Sequence, residues 1–300
     1  MISARSLLGS VLLLGTLTAT TAAQSATDIY LGTLTFIDGR SRIDELRNIT
    51  NRNGYDNQPS FSADGRGVLY TSIRDGQADT YYYDIAGATI RRVTHTPESE
   101  YSPTPMPGAD SFSAVQVEAD STQRLWHFDM SGENRGVLLE NVRPVGYHAW
   151  YDSSRVVLFV LGDPPTLQVA NLSTGEAAVA ADAVGRSLHK VPSRSSVSFV
   201  HKISEDEWWI KELDMRSRKQ TELTRTLTGR EDYAWTPDGV ILMGMGAELY
   251  QWNPLRSTEW ERVADLSDQG LTAITRIAVS PSGDRVAIVS ERPADDGGDD

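Results

Sequence analysis

The segment Pro59-Ser-Phe-Ser-Ala-Asp-Gly-Arg-Gly-Val-Leu-Tyr-Thr-Ser72 reads as a strand, a tight turn and a second, more apolar strand. Asp64-Gly65 marks the turn, because glycine takes a positive φ without steric penalty. The same pattern returns at Trp150-Tyr-Asp-Ser-Ser-Arg-Val-Val-Leu-Phe159, at Trp235-Thr-Pro-Asp-Gly-Val-Ile-Leu-Met243 and at Val279-Ser-Pro-Ser-Gly-Asp-Arg-Val-Ala-Ile-Val289. Weaker copies occupy 103–115 and 190–200. Aligning the residue that opens each turn gives Phe61, Pro105, Trp150, Lys190, Trp235 and Val279, with spacings of 44, 45, 40, 45 and 44. A period of this size, with several strands in each unit, predicts a β-propeller.

A second pattern is interleaved with the first. Aromatic-rich alternating segments, such as Thr80-Tyr-Tyr-Tyr-Asp-Ile85 and Glu207-Trp-Trp-Ile-Lys-Glu-Leu-Asp-Met215, suit half-buried third strands. A short fourth strand follows, closing on pairs such as Val93-Thr94 and Leu223-Thr224. The strand-turn-strand unit occurs six times, but a third strand follows only five of them. The missing outer half stands at the other end of the chain, in Asp28–Phe36 and Arg42–Thr50. The expected fold is therefore all-β: a six-bladed propeller with four antiparallel strands per blade, its N- and C-terminal strands sharing one blade. Such pairing would protect the strand edges that an open ring would expose. Outside the first two dozen residues no helix longer than about two turns is predicted.

The tract from Asn57 to Thr94 resembles the TolB-like propeller repeat. The matching residues are Phe61-Ser62-Ala63-Asp64-Gly65, Ser72-Ile73-Arg74-Asp75-Gly76 and Val93-Thr94, with further copies at 235–239 and 279–283. The resemblance implies a six-bladed propeller of the bacterial envelope with a protein or peptide partner. It extends over the propeller part only; the α/β domain that precedes the propeller in TolB is expected to be missing here. The same repeat also occurs in propellers attached to serine peptidases and in polysaccharide lyases.

The N-terminus adds a compartment. Arg5 precedes an apolar stretch from Leu7 to Leu17, and Thr21-Ala22-Ala23 offers small residues for cleavage before Gln24. Residues 1–23 are thus expected to be a signal peptide, 24–292 the propeller and 293–300 an acidic, disordered tail. About eleven apolar residues fall short of the roughly 20 that a spanning helix needs, so no membrane insertion is expected after cleavage. The expected location is periplasmic or secreted. The formal net charge of −13 disfavours nucleic acid and anionic lipid as partners. The absence of Cys excludes disulfides and thiol chemistry.

No Gly-x-Ser-x-Gly, phosphate loop or His-Glu-x-x-His pattern is present, and no catalytic residue is assigned. A propeller can still gather distant residues, because equivalent positions of all blades converge on one axis. The loops entering the innermost strands are expected to line one mouth of the channel. They place Asn57, Gln58, Tyr101, Ser102, Gly146, Tyr147, Arg186, Ser187, Glu231, Asp232, Thr275 and Arg276 there, with His148 and His189 slightly further in. This mixture of carboxylates, guanidinium groups, phenols and imidazoles suits a peptide terminus, a sugar or an ordered ion. Adjacent in a strand, Glu231 and Asp232 would point opposite ways. Asp56 and Glu100 are candidates for helping to hold calcium, but no cofactor or metal is assigned. Asp75-Gly76-Gln77-Ala78-Asp79 has the opening of a calcium loop without its bidentate Glu, since Ala86 stands there, and reads as a hairpin turn. The expected function is a binding scaffold for a protein or peptide of the cell envelope. The alternatives are a glycan-active lyase or hydrolase with its site at the channel mouth, and a structural repeat that binds through its blade sides.

Overall fold

The computed structural model describes residues 25–292. The expected signal over 1–23 and tail over 293–300 lie outside the described residues. Within them, six four-stranded antiparallel sheets follow one another as the blades of a propeller. Blades 1 to 5 span 56–92, 99–137, 145–182, 184–225 and 233–265. Blade 6 is composite: Ile274–Val279 is its innermost strand, followed outward by Arg285–Glu291, Thr27–Ile37 and Arg40–Asn48.

This closure follows the expected pattern. Thr27–Ile37 pairs with Arg285–Glu291 over seven residues, from Thr27 opposite Glu291 to Thr33 opposite Arg285. The seam is reinforced outside the sheet: Arg292 Nε stands 3.2 Å from Asp28 Oδ2, and Thr50 Oγ1 donates to Asp28 Oδ1 over 3.1 Å. Thr50 therefore lies just past the fourth strand expected to contain it, tying that strand's end back to the blade.

Burial follows strand order. Second strands, such as Gly67–Arg74 and Arg155–Val160, are almost wholly buried, whereas outermost strands such as Thr89–Arg92 are exposed. A second strand has a neighbouring blade on both faces, so its sequence runs apolar instead of alternating. Six apolar clusters fill the six spaces between blades. One of them joins Ile29, Leu31 and Val289 of blade 6 to Val68, Tyr70 and Tyr81 of blade 1. Buried hydroxyls also bridge blades. Ser113 of blade 2 accepts from Trp150 Nε1 of blade 3 at 2.9 Å, and Ser198 of blade 4 accepts from Trp235 Nε1 of blade 5 at 2.8 Å.

The turns between first and second strands carry the left-handed residues the sequence announces, with φ of 69° at Gly65 and 81° at Gly239. Asp75-Gly76 is likewise a hairpin turn, joining Gly67–Arg74 to Gln77–Asp84, and Asp79 pairs with Arg92 at 2.7 Å. Among the described residues the only helix is a 3₁₀ turn at Ser267–Gln269, and no helix is long and apolar enough to cross a membrane.

Candidate functional site

The six innermost strands surround a common channel. Most of the positions expected in loops lie in the strands themselves, within the channel and not at its lip. The cause is a bulge that recurs near the start of five inner strands. Pairing with the second strand slips between Asn57 and Ser60, Tyr101 and Thr104, Val145 and Tyr147, Val184 and Leu188, and Ile274 and Arg276. Bulges re-aim side chains. Gln58 and Ser102, at equivalent positions of blades 1 and 2, both take positive φ, 57° and 54°. Gln58 Oε1 then accepts from the Ser102 backbone N–H over 2.7 Å, linking the two bulges.

The channel opens into a cavity of about 580 Å³ to which all six blades contribute. Its outer part is a collar built from the first hairpin turns, including Pro107, Pro192, Pro237 and Pro281. Its floor is polar, formed by Arg186, Asp232, Arg276 and Tyr147. A smaller cavity of about 230 Å³ lies behind, sharing Arg186, Asp232 and Arg276 with the first and adding Glu231 and Arg230. These three shared residues form the waist of the channel.

Ion pairing organises that waist. Arg186 Nη2 lies 2.5 Å from Asp232 Oδ2, and Arg186 Nε lies 3.6 Å from Glu231 Oε1. Glu231 Oε2 also takes Lys202 Nζ at 3.0 Å and accepts from the Arg186 backbone N–H at 3.1 Å. Glu231 and Asp232 thus meet the same arginine, contrary to the expectation that they diverge. They precede the strand Tyr233–Trp235 in irregular backbone, where the alternation of a strand does not apply. Arg276 is held differently. Its Nη2 stands 3.7 Å from Asp232 Oδ1, its guanidinium lies 5.1 Å from the centre of the Tyr147 ring, and its Nε is buried without a partner. Burial works against the charge on Asp232, but Arg276 and Arg186 outweigh it and hold the carboxyl below its usual range.

His148 is buried and His189 half-buried, and both are neutral. Burial depresses His148 to about 3 and His189 to about 4, with Asp232 opposing the latter shift. His189 Nε2 stands 3.0 Å from Ser187 Oγ, its ring 4.6 Å from that of Tyr233. His148 Nε2 contacts Ser113 Oγ at 2.7 Å, so this side chain serves the joint between blades 2 and 3.

Of the expected site residues, the structure brings Gln58, Tyr147, Arg186, His189, Asp232 and Arg276 together around the cavity. Glu231 sits behind the waist. Asn57 and Tyr101 turn away, and His148 lines the cavity with its ring nitrogen already engaged. Asn57 Nδ2 donates to Thr27 Oγ1 of blade 6 at 3.4 Å, Tyr101 packs into the cluster between blades 2 and 3, and His148 is committed to Ser113. Asp56 pairs with Arg52 at 3.0 Å, while Glu100 accepts from Gln116 Nε2 at 3.3 Å within blade 2, so the two do not meet. Among the described residues no three His, Asp or Glu side chains converge as a metal site requires. Sequence reasoning missed Lys202, which comes from a second strand, and Tyr55, whose phenol is kept protonated by burial despite the nearby Arg276.

No protein-family model matches the chain. An uncharacterised protein of Agrobacterium fabrum is 27% identical over 99 residues, a stretch that is 31% of this chain and only 34% of that relative. Three solved structures are similar in fold. One, from Agrobacterium tumefaciens and provisionally named TolB, superposes with a TM-score of 0.71 at 13% identity, covering 90% of this chain and 99% of that one. TolB of Acinetobacter baumannii gives 0.58 at 12% identity, covering 89% of this chain and 64% of TolB. An oligogalacturonate lyase in complex with manganese gives 0.56 at 16% identity, covering 83% and 80%. At such identities the likeness is one of fold. In fold, the chain is a closed six-bladed β-propeller similar to those of TolB.

Proposed function

We propose that the chain is an exported scaffold that holds a protein or peptide partner of the cell envelope in the collared end of its channel. One observation carries this reading: an open cavity of about 580 Å³ combines an apolar collar with a polar floor fixed by ion pairs. Concave, largely apolar sites with a few placed polar groups are typical of ligand recognition. The leader-like residues 1–23 and the likeness to TolB propellers support an envelope location. A photo-crosslinking residue at Ala149, which lines the cavity, tests the reading when the protein is expressed with envelope extract. A specific adduct from Ala149, absent from the same probe at Val179 on the outer strand of that blade, is expected. Adducts from Val179 alone would place the partner on the blade side.

The glycan-active reading has a lyase among the structural neighbours, but it would draw on His148, His189, Glu231 and Asp232. Both carboxylates are already ion-paired to Arg186, which suits them to positioning more than to proton transfer. Turnover assays on neutral and acidic polysaccharides test that alternative.

A further inference from the structure

The charge lining the collared cavity runs opposite to that of the whole chain. The sequence carries a net −13, yet the charged residues around this cavity are Arg186, Lys190, Arg276 and Asp232, three cations to one carboxylate. The cavity behind the waist shows no such excess: Arg186, Arg230 and Arg276 are matched there by Glu231, Asp232 and Glu291. The excess cationic charge therefore belongs to one end of the channel. Low-dielectric walls around it focus the field.

Within that end, Arg276 is the side chain whose bonding is incomplete. Arg186 is satisfied by two hydrogen bonds to Asp232. Arg276 is 17% exposed and, among the described residues, donates no hydrogen bond. Its nearest carboxylate oxygen is 3.7 Å away, and its Nε is buried without an acceptor. A guanidinium offers five N–H donors in a planar fork that matches a carboxylate. The Tyr147 ring lies against this fork, and Arg276 lines both cavities at the waist.

Resting on the scaffold reading above, we propose that the collared end of the channel recognises a carboxylate of its peptide partner, seated on the Arg276 guanidinium. The proline collar favours a peptide over a sugar as bearer of that group, because apolar side chains beside the carboxylate would contact Pro192, Pro237 and Pro281. The carboxylate is either a C-terminus or an Asp or Glu side chain, and the test separates them.

The full chain is passed over three immobilised random pentapeptide arrays: free C-terminal acids without Asp or Glu, C-terminal amides containing Asp or Glu, and amides containing neither. A preference of about tenfold or more for one acidic array over the neutral one is expected, as for a charge-assisted bidentate contact. The array that wins names the source. Arg276→Gln should abolish the preference, and Lys219→Gln, at an exposed position that lines neither cavity, should keep it. Equal retention on all three arrays overturns the carboxylate inference while leaving the scaffold reading standing. A preference that survives in a folded Arg276→Gln protein also overturns it. Retention on none overturns the scaffold reading itself, and tighter binding of trigalacturonate than of any pentapeptide transfers the site to the glycan reading. The wild-type comparison of arrays decides the matter even where the variant does not fold.

Discussion

Ile29 lies directly opposite Val289 in the sheet that closes the ring, and both side chains are fully buried. They sit 260 positions apart in sequence, so their contact exists only when the two ends of the described chain share a blade. Ile29→Ala should lower stability by about 2–5 kcal/mol through the cavity it leaves. Ile37→Ala, on the same strand but 55% exposed, should stay within about 0.5 kcal/mol of the parent. Denaturant melts of the two variants make the comparison; equal costs would mean that the seam carries no special share of the fold.

Ser113 accepts from Trp150 Nε1 and shares a hydrogen bond with His148 Nε2 between blades 2 and 3. Ser113→Ala leaves a buried indole N–H without an acceptor, at a cost of about 1–3 kcal/mol. The matching Ser198→Ala, which strands Tyr233 and Trp235, should cost about as much. Equilibrium unfolding of the pair tests whether the two joints are energetic equivalents.

Glu100 is buried, and burial raises its carboxyl to about 7. A raised carboxyl favours the protonated folded state. Its stabilising contribution is full below the ordinary Glu value of about 4.3 and declines as pH rises from there through about 7. On the order of 3 kcal/mol is expected to be lost across that window. Glu100→Gln keeps an acceptor for Gln116 and removes the charge, so it should flatten this slope and be the more stable protein at pH 8. Melts between pH 4 and pH 8 measure it, and a parallel slope in the variant would assign the titration elsewhere.

Asp232 carries the opposite sign. Burial opposes its charge, but Arg276 and Arg186 prevail and depress the carboxyl. Its contribution is present above the unfolded value of about 3.9 and is lost as pH falls through the lower folded value. Asp232→Asn should therefore destabilise at neutral pH, on the order of 3 kcal/mol, since it removes the carboxylate charge that two guanidinium groups share. The partial exposure of Arg186 reduces that figure. The gap between variant and parent should close in acid. A gap unchanged at low pH would show that shape, not charge, matters at this position.

The repeat of strands and glycine turns could be read from the chain because each blade needs the same apolar second strand and the same left-handed turn. Closure could be read because one third strand was missing after Val289 and one was in surplus at Asp28. The channel was legible only in part. A one-residue bulge reverses which side chains face the axis, and nothing about Gln58 or Ser102 announces the positive φ that each adopts. Asn57 and Tyr101 precede those bulges and turn into the blades instead. Lys202 was hidden because its place beside Glu231 depends on the packing of a second strand against the next blade's entry.

The sequence contains no Cys, so a single introduced thiol reports on one place. Ala278→Cys puts that thiol on the cavity wall and Val179→Cys puts it on an outer strand. The alkylation rate of each is to be measured with and without the tightest-binding pentapeptide. Protection of about tenfold at position 278, with no change at 179, is expected of a partner seated in the channel. Undiminished labelling at 278 under saturating peptide would contradict it.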